Sequence, residues 1–365
     1  MPVRRPVSRL TGRVPSVVRL AAGATVAVAV FLFAVQLLGA ATDAAAPTLR
    51  RVLAAVVRGD TAALGLSWLG AYVVGNGSVV AALALSLFKT GLVSTAQLYL
   101  LIAGSRLGAA AIVLFIGALD FLQKDRYSLQ EGVSMGLLTF LVTHSIYIPA
   151  TVVGYLLLPV VVRPVERGDV PDIEAGVFGV SPSTGEAITD SLGALPAFLV
   201  AVALLFGSLQ LFDRVLGRVE TATLRDRFFR HFERRWLSFA LGLVITTVTT
   251  SVAFSLGVIV PLYNREYVKR DELVPYVLGA NIGTLFDALV VALVLPTAVG
   301  ATAVLLLLGL STAVTVVALA SHRRYIAAIE RIDDRLVDDW RVFVAFVVLL
   351  LVVPLGLIVI PLAAG

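Results

Sequence analysis

Apolar runs long enough to cross a bilayer recur along this chain, and several are interrupted by polar, helix-breaking residues. A transmembrane helix needs about 20 predominantly apolar residues, and repeated runs of that length argue for a membrane fold. The stretch from Trp236 to Pro296 shows the interruptions best: one apolar segment carries Thr246–Ser251 and the next carries Gly279–Thr284. An earlier segment, 61–89, is broken at Gly75-Asn76-Gly77-Ser78. Each of its halves is too short to cross a hydrocarbon core about 30 Å thick. Irregular backbone at membrane depth persists only where it is buried in protein or lines a cavity. Broken segments of this kind mark binding sites in secondary transporters.

Composition agrees with that frame. The 365 residues are 59% hydrophobic and 15% charged, so the class is an all-α polytopic membrane protein. The net charge of +5 reflects orientation in the membrane, not nucleic-acid binding. Cysteine is absent, which excludes disulfides, a thiol nucleophile and cysteine-based metal sites. His144, His231 and His322 lie far apart. No nucleophile–base or metal-ligand spacing stands out, so the chain is expected not to be an enzyme and to need no cofactor.

In chain order the sequence divides into a cytoplasmic tail at 1–19, a first membrane repeat at 20–162 and an external loop at 163–186. A second repeat follows at 187–320, then a charged linker with a final helix at 321–365. About seven spans are expected, with two re-entrant helical hairpins at 61–89 and 236–263. The stretch 42–60 reads as a separate interfacial amphipathic helix. Gly104 and Gly279, and likewise Gly108 and Gly283, are 175 residues apart. The same offset sets the start of the first span against that of the second, and one hairpin break against the other. With the N-terminus cytoplasmic and both hairpins re-entering, 22 of the 29 Lys and Arg residues fall on the cytoplasmic side, six fall outside, and Arg106 alone lies within the membrane. That asymmetry fits the positive-inside rule, and the two halves then form an inverted-topology repeat. The expected location is the plasma membrane, multi-pass.

Gly-Ala-Asn-Ile-Gly-Thr at 279–284, following Gly242, Thr246 and a Ser/Thr cluster, resembles the sodium:phosphate symporter family. The opening of the first half, residues 31–53 and Lys89-Thr90-Gly91-Leu92, is similar to that family as well. The resemblance covers most of 22–125 and 190–300. It implies a transporter of inorganic phosphate or a similar anion, coupled to Na⁺. Where the family carries Gln-Ser-Ser-Ser, this chain has Gly75-Asn76-Gly77-Ser78 and Thr250-Ser251-Val252-Ala253. Arg106 stands where the first half would carry the counterpart of Asn281.

The candidate ligand residues are Asn76, Gly77, Ser78, Arg106, Thr246, Thr247, Thr250, Ser251, Asn281, Thr284 and Asp287, with Na⁺ assigned to Thr250, Ser251 and Asn281. Free N–H groups at a half-helix start suit a phosphate-like anion. Free carbonyls with hydroxyl and amide oxygens suit a small hard cation. Ser and Thr in membrane helices also bond back to their own backbone, which competes with that reading for any single residue. An intramembrane carboxylate or guanidinium is a functional candidate by default. Arg106 could clamp an anion, stand in for a coupling ion, or simply neutralise Asp287. His144 reads as a hydrogen-bonded core residue, and Asp333, Asp334, Asp338 and Asp339 as a solvated face. Expected partners are a small anion, Na⁺ and the lipid bilayer, with homo-oligomerisation left open and no nucleic acid. The alternatives are a member with another anion or uncoupled flux, and a non-transporting membrane scaffold or regulator.

Overall fold

The computed structural model describes residues 16–123, 129–168, 182–216, 234–249, 255 and 270–364. Among these, every regular element is an α-helix. In order they are α1 (Ser16–Val56), α2 (Asp60–Val74), α3 (Gly77–Lys89), α4 (Thr95–Gln123), α5 (Leu129–Glu166), α6 (Pro182–Leu192) and α7 (Ala194–Leu216). Then come α8 (Arg235–Thr249), α9 (Arg270–Gly283), α10 (Leu285–Val294), α11 (Ala298–Ala320), α12 (His322–Asp338) and α13 (Trp340–Ala364).

Six stretches are long and apolar enough to cross a membrane: Leu20–Val56, Gly136–Glu166, Ala194–Val215, Asp271–Val294, Ala298–Ala320 and Arg341–Pro361. Their outward faces are apolar; Leu156, Leu199, Val317 and Ile360 are all at least 66% exposed. Large exposed apolar surface of this kind suits lipid. The chain is therefore a multi-pass helical membrane protein. The seventh expected span corresponds to α4, a 29-residue helix.

α1 packs along α7, α2 along α4, α8 along α9, and α4 and α11 along α5. The largest apolar core joins α1, α3, α4, α7, α10 and α11 through residues such as Leu37, Leu85, Leu98, Ala201, Leu285 and Leu307. A second core joins α5, α9, the end of α11, and α12.

Several boundaries differ from expectation. α1 runs unbroken for 41 residues, with Pro47 inside it, so 42–56 is not a separate interfacial helix. The reason is packing: Ala41, Thr42 and Ala45 are buried, and Ser86 of α3 donates to the Thr42 hydroxyl at 2.8 Å. The span expected from 187 starts at Ala194, because Gly193 at φ +85° separates it from α6. The linker at 321–341 holds a helix whose inner face is Ile326, Ile329, Asp333 and Leu336. Asp333 is thus buried and not part of a solvated face, whereas Asp334, Asp338 and Asp339 are exposed.

The first expected break is present. α2 ends at Gly75, whose left-handed backbone (φ +68°) suits glycine. Asn76 then caps α3, accepting from Ser78 N at 2.8 Å and Val79 N at 3.3 Å. The second expected break is absent at Thr246 and Thr247. α8 stays helical to Thr249, so Thr246 and Thr247 lie within a helix, and of the residues beyond it only Ser255 is described. The interruption at 279–284 narrows to Thr284 alone, which keeps near-helical dihedrals and donates its N–H to Ala280 O at 3.2 Å.

Candidate functional site

Arg106 sits in α4 between Gly104 and Gly108. Both glycines face α2 at backbone distance. A Cβ on Gly104 would collide with the Ser67 hydroxyl and crowd the Leu64 carbonyl, and one on Gly108 would meet the Trp68 carbonyl. Two residues rotate a helix by about 200°, so Arg106 points away from α2. On that other side α3 begins at Gly77. A Cβ there would stand 2.6 Å from the Ser105 carbonyl and 2.9 Å from Ala109 Cβ. The missing side chain lets the start of α3 abut α4.

The Arg106 side chain is thereby carried to α10. Its Nη2 lies 3.5 Å from Asp287 Oδ1, with both side chains only 2% exposed. Nη1 donates to the Thr284 carbonyl at 3.0 Å, and Nη2 to the Gly77 carbonyl at 3.5 Å. Asp287 Oδ1 also accepts the Ala288 N–H, and the Ser78 hydroxyl faces the same carboxylate. Of the three readings open for Arg106, mutual neutralisation with Asp287 is the one that the described contacts satisfy directly.

The α8–α9 pair repeats the glycine geometry. A Cβ on Gly279 would collide with the Phe239 carbonyl and stand 2.7 Å from Leu243 N. One on Gly283 would stand 2.8 Å from the Leu243 carbonyl and 2.9 Å from Thr246 Cβ. The partner residues Leu64 and Phe239, and Trp68 and Leu243, are again 175 apart. Asn281, between the glycines, faces α5. Thr143 Oγ1 donates to its Oδ1 at 3.0 Å and Tyr147 OH to its carbonyl at 2.6 Å. Thr284 Oγ1 donates to the same carbonyl at 2.7 Å.

Gly77, Ser78, Arg106, Asn281, Thr284 and Asp287 are therefore gathered around the junction of α3, α4, α9 and α10. Asn76 is adjacent, but its side-chain oxygen is engaged in capping α3. Thr246 belongs to a neighbouring cluster, donating to Ser255 Oγ at 2.8 Å, which in turn lies 2.7 Å from Tyr276 OH. The Thr247 hydroxyl is buried without a hydrogen-bond partner among the described residues. Thr250 and Ser251 lie outside the described residues. The same condition as at Thr247 holds for Arg106 Nε, Asn281 Nδ2 and Asp287 Oδ2. Two donors and one carboxylate oxygen are left incomplete in a buried interior, where each unmade bond costs about 1–3 kcal/mol. A polar ligand or ion at this junction would complete them.

Residues 204–332 match the family model described as Na+/Pi-cotransporter. The match supports membership of the Na+/Pi-cotransporter family. No curated protein and no solved structure matches the chain. The Na+/Pi-cotransporter match takes in α8 to α11 and so carries Thr246, Asn281, Thr284 and Asp287. Arg106 and the α2–α3 break lie outside it. Together with the apolar helices, this match over about a third of the chain points to a membrane transporter.

Thr143, Tyr147, Ser255 and Tyr276 also shape the junction and its surroundings, and residue types alone did not single them out. Thr143 and Tyr147 had a signal: an i, i+4 polar pair on one face of an apolar run. His144, between them, donates its Nδ1–H to Phe140 O at 2.9 Å and stacks on the Phe140 ring at a centroid distance of 3.7 Å. That is the core role expected of it.

Proposed function

We propose that the chain is a secondary active transporter that carries inorganic phosphate or a similar small anion together with Na⁺ by alternating access. The observation that carries this reading is the incomplete buried junction, which offers Asn281 Nδ2 and Arg106 Nε as donors and Asp287 Oδ2 as acceptor. Its α9 and α10 side, with Asn281 and Asp287, belongs to the region matched to the Na+/Pi-cotransporter family, whereas its α3 and α4 side, with Arg106, lies outside that region. In this reading the two halves are inverted repeats, each built on a broken hairpin that re-enters the membrane. The glycine contacts related by one offset support that relation, since both polar centres, Arg106 and Asn281, stand between paired glycines on corresponding helix pairs. The N-terminus is cytoplasmic and the location is the plasma membrane.

The test is uptake of radiolabelled phosphate into proteoliposomes under an inward Na⁺ gradient. Accumulation should collapse when the gradient is dissipated. Uptake indifferent to Na⁺ rejects the coupling. A second reading, another anion or flux without Na⁺, draws on the Arg106–Asp287 pair, which already neutralises the buried carboxylate. A panel of anions assayed in the same vesicles separates the two.

A further inference from the structure

We propose that Arg106 is a tethered cation, and that the oxygen cage around its guanidinium takes a small monovalent metal cation once the side chain is shortened. Among the described residues, the partners of that guanidinium are oxygens: the Thr284 carbonyl at 3.0 Å, the Gly77 carbonyl at 3.5 Å and Asp287 Oδ1 at 3.5 Å. Two of them are main-chain carbonyls at helix junctions, one where α3 opens and one between α9 and α10. A fourth oxygen, Asp287 Oδ2, is buried and unpaired among the described residues, and the Ser78 hydroxyl stands beside the carboxylate. Buried carbonyl, hydroxyl and carboxylate oxygens are the donor set that hard cations prefer, and interrupted helices supply such carbonyls in transporters.

Charge fixes the valence. One carboxylate faces one guanidinium, so a monovalent ion restores neutrality and a divalent one leaves a buried positive charge. Position supports the same conclusion. Arg106 lies 175 residues before Asn281, where the other half carries a neutral amide. The positive charge is thus a feature of this half alone, and this cage needs no exchangeable ion. The inference concerns binding and stands apart from the transport reading, because a chain that moves no anion would still show it.

The experiment compares the purified full-length chain with Arg106→Asn, Arg106→Lys and the double variant Arg106→Asn/Asp287→Asn. Thermal midpoints are read at pH 8 against NaCl and KCl, with choline chloride holding ionic strength constant. Arg106→Asn should gain a saturable Na⁺- or K⁺-dependent rise beyond that of the wild type. Arg106→Lys and the double variant should track the wild type. Binding of radioactive Na⁺ should show one additional ion per chain in Arg106→Asn, lost in the double variant. An Arg106→Asn curve superimposed on the wild type overturns the proposal, as does a gain that survives loss of Asp287. If Arg106→Asn does not purify, Arg106→Gln, which keeps more of the stem, is read in the same way.

Discussion

Replacing Arg106 by Met, Asp287 by Leu, and both together forms a mutant cycle across the buried pair. Breaking a buried ion pair costs about 3–5 kcal/mol, whereas replacing both partners with apolar residues is often close to neutral. The structure refines these values. Asp287→Leu strands a guanidinium that cannot deprotonate, and only the 3.0 Å bond to the Thr284 carbonyl remains well formed. Its cost belongs at about 5 kcal/mol. Arg106→Met strands a carboxylate, which can take up a proton. Neutralising an ordinary aspartate at pH 7 costs about 4 kcal/mol, three pH units at about 1.4 kcal/mol each, and that caps the penalty. The double variant loses donors to two carbonyls but no charge is stranded, so about 1–2 kcal/mol is expected. The assay is equilibrium unfolding in detergent, in choline buffer without Na⁺ or K⁺. Single-variant costs that add in the double variant to within about 0.5 kcal/mol would refute the coupling on which the site reading depends.

The glycine contacts predict a sharp contrast. Gly279→Val should destabilise by about 1–3 kcal/mol or more through overpacking, while Gly309→Val, where nothing lies within 4 Å of a Cβ, should stay near wild type in the same assay. Tyr147→Phe removes the 2.6 Å bond to the Asn281 carbonyl and should cost about 0.5–1.5 kcal/mol, read by thermal unfolding. Asn76→Ala should cost about 1 kcal/mol, whereas Asn76→Asp keeps the helix cap and most of that stability. His322, outside the spans, is held below its ordinary value of 6.5 by burial and then by the Arg235 charge, with Asp271 opposing. Its protonated form is therefore disfavoured in the fold, and stability should fall as pH drops below 6.5. His322→Gln should flatten that part of a stability–pH profile.

Much of this architecture was legible in the pattern of apolar length. The long runs became helices, and Gly75-Asn76 became a helix end followed by a cap, because a left-handed glycine and a capping amide are local signals. Glycines at 104, 108, 279 and 283 stand out in the sequence as two pairs at one offset, and each abuts the backbone of a neighbouring helix. Tertiary burial was not legible. Thr42 lies in a core because Ser86 comes to it from 44 positions away, and no local pattern announces that. Asp333 looked solvated among acidic neighbours, yet the turn of α12 sets it inward beside Ile329 and Leu336. A hydroxyl cluster suggests a break at Thr246; the helix nevertheless continues past it to Thr249, and its hydroxyl bonds Ser255. The Arg106–Asp287 pair joins positions 181 apart, and charge alone could name both members without showing that they meet.

The paired glycines also restrict how such a molecule can move. Where two main chains touch without side chains between them, neither can slide past the other by a fraction of a turn without collision. α2 is therefore an outrigger of α4, and α8 of α9; whatever shifts Arg106 or Asn281 drags its companion along. Any exchange between facing states has to be absorbed at seams other than these two.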